Sequence, residues 1–192
     1  MDIALGIILG VCLSAAVGFR IFVPMLILSI AANAGYVELS NSFLWISTLP
    51  ALIAFASATI IEIIGYYVPW MDNMLDTIST PLSIVAGAAA TGAVVIDVDP
   101  LISWTIAIIL GGGSAFTVEV LTVKARALSS FFTGGLGNQI VATGELFFST
   151  FISILAIVVP IVALAFLLFL AFVIQKLITR ESNSQNKKFE DI

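Results

Sequence analysis

The chain has 192 residues, 60% of them hydrophobic and 10% charged, with a mean hydropathy of +1.18 and a formal net charge of −5. A soluble domain carries about 25% charged residues and a nucleic-acid binder needs a basic face, so composition excludes both classes and points to an all-α, polytopic membrane protein. Histidine, the commonest metal ligand and proton shuttle, is absent, and the single Cys12 lies in an apolar run where it reads as packing.

The first apolar block, 3–33, carries one charge between Ile3 and Ala32, the Arg20 of GFRIFVP (18–24). It has no basic n-region, only Asp2, and it outruns the core of a signal peptide, so it reads as a retained membrane helix. A straight helix over Ile3 to Ala32 would reach roughly 45 Å, against roughly 30 Å of bilayer hydrocarbon. Tilt, a kink or a re-entrant piece must absorb the excess, with Pro24 a natural place for a break.

The second block, 43–67, carries Glu62, and Pro69 ends it. In YYVPWMDNMLDTISTP (66–81) the rings of Tyr66, Tyr67 and Trp70 belong at a headgroup interface. Asp72 and Asp76, spaced i, i+4, share one face of a short surface helix. They read either as pore-mouth acids or as a solvated face with Asp72 near the helix start. The third block, 81–96, is short and rich in Ala and Gly, and the DVDP after it (97–100) reads as a turn, since it lacks the further oxygen ligands of a calcium loop.

The fourth block, 101–122, contains Gly111-Gly112-Gly113 and Glu119, with Lys124 and Arg126 at its end. Lys124 suits an interfacial position, its stem lying along the apolar surface. FFTGGLGNQIVATGE (131–145) follows, where Gly134, Gly135, Gly137 and Asn138 interrupt any helix. They read as cavity-lining or re-entrant backbone, or as a plain loop. The fifth block, 140–175, carries Glu145 and is broken by Pro160. The polar tail 176–192 is expected to be disordered. It holds four of the seven basic residues, which places it in the cytoplasm and the chain in the inner membrane.

The chain therefore reads as one membrane domain, 1–175, of five to six segments with broken or re-entrant helices. Trp45 with Glu62 and Trp104 with Glu119, and the strings SATIIE (57–62) and SAFTVE (114–119), suggest an internal, inverted repeat with halves 1–80 and 81–175. An isolated charge at the bilayer centre costs roughly 2.5–3.5 kcal/mol, so Arg20, Glu62, Glu119, Lys124, Arg126 and Glu145 are expected to pair. Glu62 and Glu119 are the first candidates for Arg20, and Glu145 is the third.

These motifs taken in order resemble the domain-of-unknown-function 4126 family of small multi-pass membrane proteins. The resemblance rests on GFRIFVP, the stretch from Glu62 to Asp76 with Pro69 and Asp72, Arg126, and the glycine-rich approach to Glu145, and it covers roughly residues 10 to 165. The pattern departs from that family at Tyr66 and Tyr67, where a charged pair is usual, and at Leu146, where an acid is usual. The resemblance implies a helical membrane protein and no assigned activity.

The leading functional expectation is a channel or transporter for a small ion or solute, with Arg20, Glu62, Glu119, Arg126 and Glu145 as its polar centre. The alternative is a non-transporting scaffold, assembly factor or lipid-binding protein. No nucleotide motif, metal set or nucleophile constellation is found, so no enzyme activity, cofactor or metal is expected. The expected partners are the lipid bilayer, a small ion or solute and further copies of the chain, with no nucleic acid.

Overall fold

The computed structural model describes residues 2–190; of the side chains, those of 69, 70, 72, 73 and 177–190 lie outside the described residues. Among the described residues every regular element is helical. The helices are α1 (Ile3–Val17), α2 (Phe22–Asn33), α3 (Leu49–Tyr66), α4 (Pro69–Val94), α5 (Pro100–Ile106), α6 (Gly113–Thr133), α7 (Asn138–Val158) and α8 (Pro160–Glu190). A 3-10 helix, Asn41–Ser47, precedes α3, and a π-helical stretch, Ala107–Gly112, joins α5 to α6.

Proline punctuates this order mainly at helix starts, where its missing N–H is no loss. Pro24, Pro50, Pro69, Pro100 and Pro160 lie in the first turns of α2, α3, α4, α5 and α8, and only Pro81 lies within a helix. Two starts carry side-chain caps: Thr48 Oγ1 accepts from Ala51 N at 3.4 Å, and Asp99 Oδ1 accepts from Leu101 N at 2.9 Å. The DVDP stretch is thus a turn and cap, as its sequence suggests.

Among the described residues, four stretches are long and apolar enough to cross a membrane: Leu49–Tyr66, Met74–Val94, Pro100–Thr133 and Asn138–Val158. They fit an integral membrane protein. The apolar helices Ile3–Val17, Phe22–Asn33 and Pro160–Lys176 are shorter. At 1.5 Å per residue α1 and α2 reach roughly 22 Å and 18 Å, less than the hydrocarbon thickness.

The path of α1 and α2 follows from their neighbours. Along α1, Gly10 lies against Thr91 and Ser14 Oγ donates to Gly87 O at 2.6 Å, so α1 runs antiparallel to α4. The start of α2, Ile21 and Phe22, shares a cleft with Leu75, Ser79 and Leu82 of α4. Its end, Ala32, shares a cavity with Gly92 and Val95 just where α4 finishes. So α2 runs parallel to α4, and the chain reverses between Val17 and Phe22. The first block is therefore not one long helix but a helical hairpin, with both of its ends at the end of the bundle where α4 terminates.

The hairpin is central. Cys12, Leu13, Ser14, Ala16 and Val17 of α1 are completely buried, as expected of a helix apolar on all sides. Small residues let its neighbours close in: Gly10, Ser14, Gly87, Thr91 and Gly111 meet where α1, α4 and the π-helical stretch touch, and Ser14 Oγ lies 2.8 Å from Thr91 Oγ1. The fifth block also folds back, at Val159-Pro160: the Phe151 and Phe166 rings sit 5.4 Å apart, eight residues before and seven after Val159.

Candidate functional site

Breaking a helix inside an apolar bundle frees backbone donors and acceptors that need partners. At the hairpin tip those partners are side chains of other helices. Glu62, near the end of α3, accepts from Ile21 N at 2.8 Å with Oε1 and from Phe22 N at 3.1 Å with Oε2, so its carboxylate covers the exposed amides at the start of α2. The charge also suits the positive end of that helix. Ser149 on α7 donates to Ala16 O at 3.0 Å, taking up a carbonyl at the end of α1. The tip further needs Gly18, because a Cβ there would lie 2.6 Å from Val118 Cβ and 3.0 Å from Glu119 N.

The tip carries Arg20 into the space between α3, α6 and α7, where the residue is 2% exposed. Its Nη2 donates to Ala142 O at 3.0 Å and lies 3.3 Å from Glu145 Oε2. Arg126 on α6 grips the same carboxylate with two nitrogens, Nε to Oε1 at 2.9 Å and Nη2 to Oε2. Glu145 thus bridges two guanidiniums. Arg126 Nη1 also pairs with Asp76 on α4. The Tyr66 ring lies against both cations, with Arg20 Cζ 3.7 Å and Arg126 Cζ 3.9 Å from its centroid, a contact that aromatic faces favour. Glu119 on α6 accepts from the Ser79 hydroxyl. Among the described residues, Nε and Nη1 of Arg20 have no hydrogen-bond acceptor.

The structure thus brings Arg20, Glu62, Glu119, Arg126 and Glu145 into one centre, each buried. It corrects the order of partners: Glu145 takes Arg20, while Glu62 serves backbone and Glu119 serves Ser79. Asp76 is no surface acid but half-buried in the first turns of α4, paired with Arg126, because the stretch after Pro69 continues into the long helix. The side chain of Asp72 lies outside the described residues. Tyr66, read as an interfacial ring, is 5% exposed. Its i, i+4 spacing from Glu62 was the signal, since that puts both on one face of α3.

Gly134, Gly135 and Gly137 form the turn between α6 and α7, apart from any break inside a helix. Gly134 closes α6 at φ 63° and Gly135 sits at φ 93°, backbone that other residues rarely adopt. Asn138 opens α7 and donates to Ser130 Oγ at 2.8 Å. Lys124 is exposed on α6, as its interfacial reading requires. Ser79 and Ser149 were not singled out from sequence. Serines in apolar helices give no signal until the helix break and the carboxylate they serve are located.

A glutamine at position 62 is expected to loosen the tip. It offers one acceptor oxygen where the carboxylate offers two, and turns an NH2 group toward one backbone N–H. The cost of an unmet buried donor is about 1–3 kcal/mol. A lower unfolding temperature in detergent, with faster hydrogen exchange at Ile21 and Phe22, would confirm it; unchanged exchange at those amides would refute it.

A family model described as Domain of unknown function (DUF4126) matches residues 7–180. No curated protein and no solved structure matches the chain.

Proposed function

We propose that the chain, which belongs to the DUF4126 family, passes a small cation or cationic solute across the membrane, with the buried charged centre as its binding step. The observation that carries this reading is charge balance. Four carboxylates, Glu62, Asp76, Glu119 and Glu145, gather around two guanidiniums, Arg20 and Arg126. Excess negative charge in an apolar interior is costly and is relieved by taking up a proton or another cation. Helices that stop inside the bundle, as α1 and α2 do, are a frequent framework for such sites.

The tail, mixed in charge but holding four of the seven basic residues, supports an orientation with the C-terminal end in the cytoplasm and the chain in the inner membrane. Since α8 folds back along α7, the α6–α7 turn with Gly134, Gly135, Gly137 and Asn138 then forms the cytoplasmic mouth. The hairpin and the N-terminus enter from the other side.

Glu119 is the residue to test. Glutamine there keeps an acceptor for Ser79 and removes one charge. In proteoliposomes scanned with protons, alkali cations and organic cations, Glu119→Gln is expected to lower cation flux at least tenfold while the protein stays folded, the effect of about 1.4 kcal/mol in a barrier. Full flux in that variant would sink the assignment.

A second reading is a structural lock in a scaffold or lipid-binding protein. It is favoured by the way Arg126, Asp76 and Glu145 tie α6, α4 and α7 together. Under it no species in the panel is passed, and neutralising these residues harms folding alone.

A further inference from the structure

Between the start of α2, α3 and α4 lies a cleft of about 180 Å3. Its walls are apolar, with Ala58 and Ile61 on α3 facing Leu75, Ile78 and Leu82 on α4, and its polar groups are Glu62, Tyr66 and Ser79. Ile61 and Ile78 are 64% and 52% exposed, so the mouth opens sideways on the bundle, where lipid chains would surround a membrane protein. Among the described residues no lysine or arginine lines it, and the nearest guanidiniums, Arg20 and Arg126, lie against the Tyr66 ring with carboxylate partners of their own. Glu62 is part of its lining, and the hydroxyl of Ser79 holds Glu119 directly behind.

We infer that this cleft is a lateral binding site for a lipophilic organic cation, such as a quaternary ammonium carrying an apolar group. The inference rests on the reading of the charged centre as a cation-binding step and names the substrate class. Charge complementarity selects the occupant. An anion would enter against Glu62 and Glu119. A bare metal ion would find hydrocarbon walls in place of the oxygen ligands it needs. A neutral acyl chain would bring no positive charge of its own to the excess of acids behind the cleft. An apolar cation satisfies both parts, burying its hydrocarbon against the walls and its charge against the acids, within the volume of one small molecule.

The full chain, purified in detergent, is titrated calorimetrically with benzyltrimethylammonium, and with benzenesulfonate and benzyl alcohol as anionic and neutral probes of similar size. Saturable binding of the ammonium alone is expected. Ala58→Phe, which fills the cleft, and Glu119→Gln, which removes a charge, should each weaken it at least tenfold. Ile53→Phe, at an exposed position of α3 outside the cleft, should leave it unchanged. Equal binding of the neutral or anionic probe, or ammonium binding that survives Ala58→Phe, overturns the inference. Binding with no flux of any species keeps the cleft as a site and removes the passage reading. Flux of protons or alkali cations with no ammonium binding keeps passage and removes the cleft.

Discussion

Glu145→Gln is expected to cost more stability than any other single change at the charged centre. One carboxylate serves both guanidiniums, Arg20 at 3.3 Å and Arg126 through two contacts, so its loss strips counter-charge from two buried cations at once. Breaking one buried pair by removing one partner costs about 3–5 kcal/mol. Here the figure sits at the top of that range, with Asp76 left to face Arg126. Thermal unfolding in detergent should show a collapse of the folded fraction. Adding Arg20→Gln should recover part of the loss, because neighbours sharing one network are coupled by about 0.5–3 kcal/mol. A fully additive double variant would show that the bridge through Glu145 is not energetically real.

Gly18→Ala is the second large effect expected, and it works through space alone. The added methyl would stand 2.6 Å from Val118 Cβ and 3.0 Å from a backbone nitrogen of α6, and helix backbone cannot step aside as a flexible side chain can. Overpacking costs about 1–3 kcal/mol, and here it also pushes the tip that carries Arg20 away from its partners. Gly113→Ala is the control, with nothing within 4 Å of the new Cβ at a helical site. There alanine should stabilise by about 0.5–1 kcal/mol through the unfolded chain. If both changes have the same sign, close approach at Gly18 is not what the fold depends on.

Much of this site was legible in sequence, because a charge in an apolar run is visible wherever it stands. Arg20, Glu62, Glu119, Arg126 and Glu145 all announced themselves in that way, and all five meet. Pairing was not legible. Seen as one helix, block one makes Glu62 or Glu119 as good a partner for Arg20 as Glu145. Only the reversal at Gly18–Ile21 turns two backbone amides toward Glu62 and leaves Glu145 for the arginine. That reversal has a weak signal, since a glycine with a proline six residues on, as Gly18 and Pro24 stand, marks many ordinary helix starts. Asp76 and Tyr66 were misplaced for one shared reason. Pro69 and the surrounding aromatics suggested an interface, whereas Pro69 begins a helix that continues inward and brings Asp76 to Arg126. Excess length in the first and last blocks correctly signalled a break in each. It could not distinguish a kink from a full turn.

The hairpin also has a consequence for how the chain is made. Synthesis delivers α1 and α2 before α3 and α7, yet the open amides and carbonyls of their tip are covered by Glu62 on α3 and Ser149 on α7, and the guanidinium they carry waits for Glu145. Until α7 has been produced, none of its partner groups exists, and hydrocarbon cannot substitute for them. The hairpin is therefore born before the groups that settle it, a keystone set after its arch. Truncating the nascent chain before Asn138 should leave that segment outside the hydrocarbon or held by an insertase.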